Sequence, residues 1–202
     1  MSGRRRIGVF GGTFDPIHNA HLEIARAALS HGRLDEVRFV IAGRPPHKMH
    51  DTSATPEERY AMVRAALENE PRMAVSRLEL DRKGPSYTFE TLEAIARNEK
   101  DADLYLILGM DSLVDLPNWR APERIAAAAR FLVVPRPGHW DVPAQLEGHC
   151  EVLPFEPMPL SSTDVRERLR AGLPLDDVLP APVERLIRER GIYGLGDADR
   201  AR

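Results

Sequence analysis

Two histidines three residues apart, His18 and His21, follow a glycine pair in the run Gly11-Gly12-Thr13-Phe14-Asp15-Pro16-Ile17-His18-Asn19-Ala20-His21. Glycines at the point where a strand hands over to a helix let the backbone approach a ligand closely, and the free amides of the helix start favour an anion. If the helix begins near Asn19, both imidazoles turn toward its positive end, where a nucleotide phosphate fits. The run is neither Gly-x-Gly-x-x-Gly nor Gly-x-x-x-x-Gly-Lys-Ser/Thr, so the dinucleotide fingerprint and the P-loop are both unsupported. A second stretch, Ser161-Ser162-Thr163-Asp164-Val165-Arg166, suits phosphate for a related reason. Hydroxyls and amides at a helix N-terminus can hold phosphate oxygens, and Arg166, about one turn in, can add a charge-assisted contact.

These residues need elements to hold them. Residues 6–10 read as a strand and 21–31 as a helix stopped by Gly32; 36–42 form a second strand, followed by a loop with Pro45, Pro46, His47 and Lys48. Thr55, Pro56 and Glu58 make a capping box that starts a helix over 56–68. A strand over 73–80 and a helix capped by Ser86 or Thr88 and reaching Asn98 come next. Leu104-Tyr105-Leu106-Ile107-Leu108 is continuously apolar, the mark of a central parallel strand covered on both faces, and it ends at Gly109. Short helices over 111–116 and 122–129, strands over 131–134 and 150–155, a helix capped at Ser161 and running to Gly172, and a last helix over 182–189 complete the chain.

Strands alternating with helices predict an α/β fold, a Rossmann-like open parallel sheet of about six strands with helices on both faces and right-handed crossovers. All 202 residues are expected to form a single domain whose C-terminal helical portion begins at about residue 161. Ligands of such sheets bind beyond the carboxyl ends of the strands, so the loops opening at Gly11, Ala42, Gly109, Arg136 and Phe155 should share one rim.

A net charge of -3 provides no general basic excess, which argues against nucleic acid or a membrane as partner. No apolar segment is long enough for a signal peptide or a span, so a soluble, cytoplasmic protein is expected. The single cysteine, Cys150, cannot form an internal disulfide and is expected as an inert thiol in a buried strand. A homo-oligomer is compatible with the sequence but not specified by it.

His18-Asn19-Ala20-His21 resembles the (H/T)xGH signature of the nucleotidyltransferase superfamily, with Ala20 where that signature carries glycine, and Ser161-Ser162-Thr163-Asp164-Val165-Arg166 resembles its second, Ser/Thr-rich motif. Further segments, from the first strand to the last helix, are similar to the bacterial nicotinate-nucleotide adenylyltransferase family: Pro45-Pro46-His47-Lys48, Gly84-Pro85-Ser86-Tyr87-Thr88 with Thr91-Leu92, Leu108-Gly109-Met110-Asp111 with Trp119, and Leu160-Ser161-Ser162-Thr163. Glu90 stands where that family carries aspartate.

The resemblance implies transfer of the adenylyl group of ATP to nicotinate mononucleotide, with Mg2+ carried by the ATP phosphates and no metal ligands from the chain. It implies catalytic roles for His18, His21 and Arg166, and ATP contacts from these three with Gly11, Gly12, Thr13, Phe14, Gly109, Asp111, Ser162 and Thr163. For the acceptor it implies Asp15, Lys48, Thr88, Trp119 and Arg136, with Thr88 and the backbone after Trp119 on the nicotinate carboxylate and the indole on the pyridine. Nicotinamide-mononucleotide or phosphopantetheine adenylyltransferase, or a non-catalytic ATP sensor, are the alternatives this reading leaves open.

Overall fold

The computed structural model describes residues 3–43, 53–138, 142–156 and 158–195. Six strands, β1 (Arg5–Gly12), β2 (Glu36–Ile41), β3 (Met73–Ser76), β4 (Ala102–Gly109), β5 (Arg130–Val134) and β6 (Cys150–Val152), form one sheet of order β3-β2-β1-β4-β5-β6. Every neighbouring pair is parallel. The helices among the described residues are α1 (Asn19–His31), α2 (Pro56–Ala66), α3 (Thr88–Asn98), α4 (Met110–Asp115), α5 (Pro122–Ala128), α6 (Ser162–Arg170) and α7 (Ala181–Arg190). This is the expected Rossmann-like architecture, and its strand order reverses between β1 and β4, the place where ligands of such sheets bind.

The continuous apolar run of β4 explains the two-sided sheet. Because side chains alternate along a strand, Tyr105 and Ile107 enter one core while Leu104, Leu106 and Leu108 enter the other. The first core is closed by α1, α2, α6 and α7, through residues such as Leu22, Met62, Val165 and Ile187. The second is closed by α3, α4 and α5, through Leu92, Leu113 and Ile125. Phe39, 0 % exposed, sits in the first core with ring centroids 5.3 Å from Phe10 and 5.4 Å from Phe14, so the core extends to the loop after β1.

Several boundaries differ from the sequence reading, each for a local reason. β3 ends at Ser76 rather than near Leu80, because the Ser76 hydroxyl accepts the Leu78 amide and turns the chain out of the sheet. β6 stops at Val152, short of Phe155; Pro154 has no amide to give the ladder, and Phe155 N–H donates to the Leu153 carbonyl instead. α3 is not capped by Ser86 or Thr88: Tyr87 is its N-cap, with no side-chain cap, and Thr88 is the first helical residue. Cys150 is only half buried, on an edge strand, and burial still pushes its thiol above the ordinary range, in keeping with an unreactive group. Among the described residues no helix is long and apolar enough to cross a membrane.

Phe39→Ala should cost about 3–5 kcal/mol of unfolding free energy, because it empties a core site that three aromatic rings share. Urea unfolding followed by circular dichroism measures this, and a loss below about 1 kcal/mol would show that the cluster does not act as a packed unit.

Candidate active site

The chain leaves β1 at Gly12 and must become helix α1 by Asn19. Gly11 faces open space, whereas a Cβ on Gly12 would lie 2.7 Å from the Phe14 ring, so only glycine fits there beside that ring. Phe14 has a left-handed φ of 51° and is held by edge contacts with Phe10 and His21 at centroid distances of 5.7 and 5.0 Å.

The backbone oxygens of this turn have no strand partner, and buried carbonyls need donors. Three side chains supply them. Arg59, 1 % exposed on α2, donates from Nη1 to the carbonyls of Thr13 at 2.8 Å and Ala42 at 2.9 Å, tying the ends of β1 and β2 together. Arg166 on α6 donates to the Asp15 carbonyl at 2.6 Å, and the Ser162 hydroxyl donates to the Pro16 carbonyl at 2.9 Å. The start of α6 is thereby fastened against the turn it was expected to face. Its own cap is built from Ser161, whose hydroxyl accepts the Asp164 amide at 3.2 Å, and from the Asp164 carboxylate, which accepts the Ser161 amide at 2.8 Å.

His18 is the N-cap of α1 and is 4 % exposed; its Nδ1 has no hydrogen-bond partner. Its backbone N–H donates to Nδ1 of His21 at 3.2 Å, and the rings stack at 3.7 Å. With Nδ1 of His21 accepting, a neutral His21 carries its proton on Nε2 and can act as a donor to phosphate. Burial lowers the His18 pKa to about 4, partly opposed by the charge of Asp164. Burial also holds His21 well below the ordinary range, reinforced by His18 and by the positive charge of Arg136. Both rings are therefore neutral donors at neutral pH until an anion arrives.

Across the switch point β4 ends at Gly109, which is the N-cap of α4. A Cβ there would meet Asp111 Oδ1 at 2.3 Å and Arg136 Nε at 3.4 Å, so glycine leaves room for the Asp111–Arg136 pair, 3.3 Å apart on the rim. After α4, Trp119 is half buried against the second core and donates from Nε1 to Asp115 at 3.1 Å. Arg120 lies over the Tyr87 ring at 4.6 Å and donates to its hydroxyl at 3.1 Å. It thus joins the Trp119 segment to the residue before Thr88.

Gly11, Gly12, Thr13, Phe14, His18 and His21 share the β1 turn, with Ser162, Thr163 and Arg166 fastened beside it. Gly109, Asp111 and Arg136 gather at the end of β4, and Thr88 with Trp119 lie on the segments bridged by Arg120. Lys48 lies outside the described residues. Asp15 differs from the acceptor contact expected of it: its carboxylate, 3 % exposed, points inward and accepts from the Ser53 amide at 2.7 Å, the Ala54 amide at 3.1 Å and the Tyr193 hydroxyl at 2.8 Å. Arg59, Arg120 and Tyr193 were not singled out in the sequence. For Arg59 a signal existed, since an arginine occupies the stripe 59, 62, 63, 66 that α2 buries.

Paired imidazoles and an arginine-bearing helix start gather on one turn at the strand-order switch, groups suited to nucleotidyl transfer, and residues 9–168 match the family model described as cytidylyltransferase-like. A probable nicotinate-nucleotide adenylyltransferase of Acidothermus cellulolyticus is 41 % identical over 208 residues, covering 99 % of this chain and 100 % of the relative. A protein of the same description from Streptomyces coelicolor is 40 % identical, covering 91 % and 98 % of the two chains. Among solved structures, Plasmodium falciparum nicotinic acid mononucleotide adenylyltransferase complexed with NaAD shares the fold at a TM-score of 0.74 and 20 % identity, covering 95 % of this chain and 98 % of that one. The chain belongs to the nicotinate-nucleotide adenylyltransferase family, nucleotidyltransferases of NAD biosynthesis.

The lowered His18 pKa has a consequence for stability. A group with a depressed folded pKa binds fewer protons folded than unfolded, so the ligand-free protein should lose stability as pH falls from about 6.5 toward 4, by on the order of 3 kcal/mol from His18. Denaturant unfolding at a series of pH values should show a shallower slope over this window for His18→Gln than for the unsubstituted protein. Equal slopes would mean that His18 titrates normally.

Proposed function

We propose that the chain transfers the adenylyl group of ATP to nicotinate mononucleotide, forming nicotinate adenine dinucleotide and pyrophosphate in the cytoplasm. The observation that carries this reading is the pair of neutral, stacked imidazoles at the start of α1, on the turn that leaves β1 at the strand-order switch. Family membership supports the choice of acceptor, as does the relative complexed with NaAD.

The mononucleotide phosphate is ionised near neutral pH and attacks the α phosphate of ATP. A new P–O bond forms as the bond to pyrophosphate breaks, and the electron pair leaves with pyrophosphate. No protein base is needed, so positioning and charge neutralisation are what the chain supplies. His18 and His21 donate to phosphate oxygens as charge builds, and gain basicity as it does. Gly11, Gly12, Thr13 and Phe14 line the phosphates, Gly109 and Asp111 the nucleoside, and Ser162, Thr163 and Arg166 the β and γ phosphates. For Ser162 and Arg166 this means sharing donors that also hold the Asp15 and Pro16 carbonyls. Thr88 and the backbone after Trp119 take the nicotinate carboxylate, the indole takes the pyridine, and Lys48 and Arg136 add positive charge.

Among the described residues no group of three or more His, Cys, Asp or Glu could hold a metal ion. Mg2+ would be held by phosphate oxygens and water, where it would neutralise charge on the leaving group.

His21→Ala should lower kcat by about 10²- to 10³-fold, the range for loss of one charge-stabilising donor, with little change in Tm. Near-normal turnover would remove His21 from the mechanism. Pyrophosphate release compared between the acid and the amide mononucleotide tests the acceptor, and an equal or faster rate with the amide would sink the nicotinate assignment. Thr88→Val should cut kcat/KM for the acid by about tenfold and leave the amide less affected, because it removes a donor from a carboxylate.

A further inference from the structure

The buried Asp15 carboxylate joins three separate parts of the chain. It begins in the turn between β1 and α1, takes the amides of Ser53 and Ala54 just before α2, and takes the hydroxyl of Tyr193 after α7. Tyr193 lies in a 3-10 turn spanning Ile192–Gly194, itself in a left-handed conformation at φ 65°, which directs the chain back under the β1 turn. Its phenol is largely buried, and burial together with the facing carboxylate raises its pKa far above the ordinary range, so it remains a protonated donor at any working pH.

The other groups facing Asp15 are cationic. The Arg166 guanidinium is 4.0 Å from its carboxylate and bonded to its carbonyl, and buried Arg59 feels its charge. Asp15 is thus oriented by one neutral donor and two backbone amides between two arginines. Those same arginines hold the carbonyls of Thr13 and Asp15. A small rotation of this carboxylate would move Arg166 and the turn that delivers His18.

We propose that Tyr193 is a positioning residue for adenylyl transfer: through Asp15 it sets the turn that brings the His18 amide against Nδ1 of His21 and so fixes the proton of His21 on Nε2. It touches neither substrate. Its effect should appear in kcat, because misplacement of a charge-stabilising donor is felt most where charge develops. This rests on the adenylyl-transfer reading for its kinetic part alone.

The test is Tyr193→Phe in the full-length chain, which keeps the ring and removes one hydroxyl. Two quantities are read: pyrophosphate release with ATP and nicotinate mononucleotide, and the ¹⁵N chemical shifts of the His21 imidazole in the ligand-free protein. The expected result is a fall of about tenfold in kcat with KM for ATP changed by less than about twofold, together with a His21 spectrum shifted from the Nε2–H tautomer toward a mixture. A folded variant with unaltered kcat and an unaltered His21 spectrum overturns the proposal. A purely structural role would lower Tm without moving either readout, which also overturns it. If the unsubstituted protein releases no pyrophosphate with this acceptor, the functional reading fails, and the imidazole spectrum alone decides between support and refutation here. Should Tyr193→Phe not fold, Asp15→Asn is judged by the same two criteria.

Discussion

A chain that runs out of the middle of a parallel sheet and restarts as a helix after six intervening residues carries carbonyls that no strand can satisfy. Here the carbonyls of Thr13, Asp15 and Pro16 are met by Arg59, Arg166 and Ser162, donors from the second and sixth helices. Left unmet in a buried turn, each would cost about 1–3 kcal/mol. The docking of α2 and α6 against the sheet is therefore also the construction of the turn proposed to cradle phosphate, and the histidines inherit their positions from that hydrogen-bonding requirement.

The same requirement explains the charge of the interior. Among the described residues Arg59 is the largest fully buried side chain, and it is tolerated because its head group spans two strand ends and feels the charge of the Asp15 carboxylate. A buried cation without those partners would be strongly destabilising. The histidines are the complementary case, buried with only Asp164 to oppose the cost at His18 and hence neutral, a state that a phosphate in the proposed reaction would reverse. Function and fold thus compete for proton occupancy in this small region.

How much of this was legible in the sequence depended on the range over which each feature acts. The central strand β4 could be read because five consecutive apolar residues need cover on both sides, and α2 because Thr55, Pro56 and Glu58 carry their own start signal. β3 and β6 were read too long because a hydroxyl acceptor and a missing amide end them, while apolar pattern alone would carry them on. The start of α3 was misassigned since Ser86 and Thr88 have the better intrinsic capping chemistry, yet the chain becomes helical only after Tyr87. The pairing of the two histidines was legible from spacing. The inward turn of Asp15 was not, because its partners lie 38, 39 and 178 positions away, and nothing local distinguishes a buried aspartate from one that meets a substrate.

The backbone contact from His18 to Nδ1 of His21 reaches beyond orientation. It occupies the one lone pair that a neutral His21 could offer to a proton, and the neighbouring ring, with a pKa of about 4, is a feeble base. An acceptor that must first lose a proton, such as an alcohol, would find nothing in the pair to take it. In the proposed reaction the site would therefore filter its partners by acidity before it filters them by shape, admitting groups that arrive already ionised.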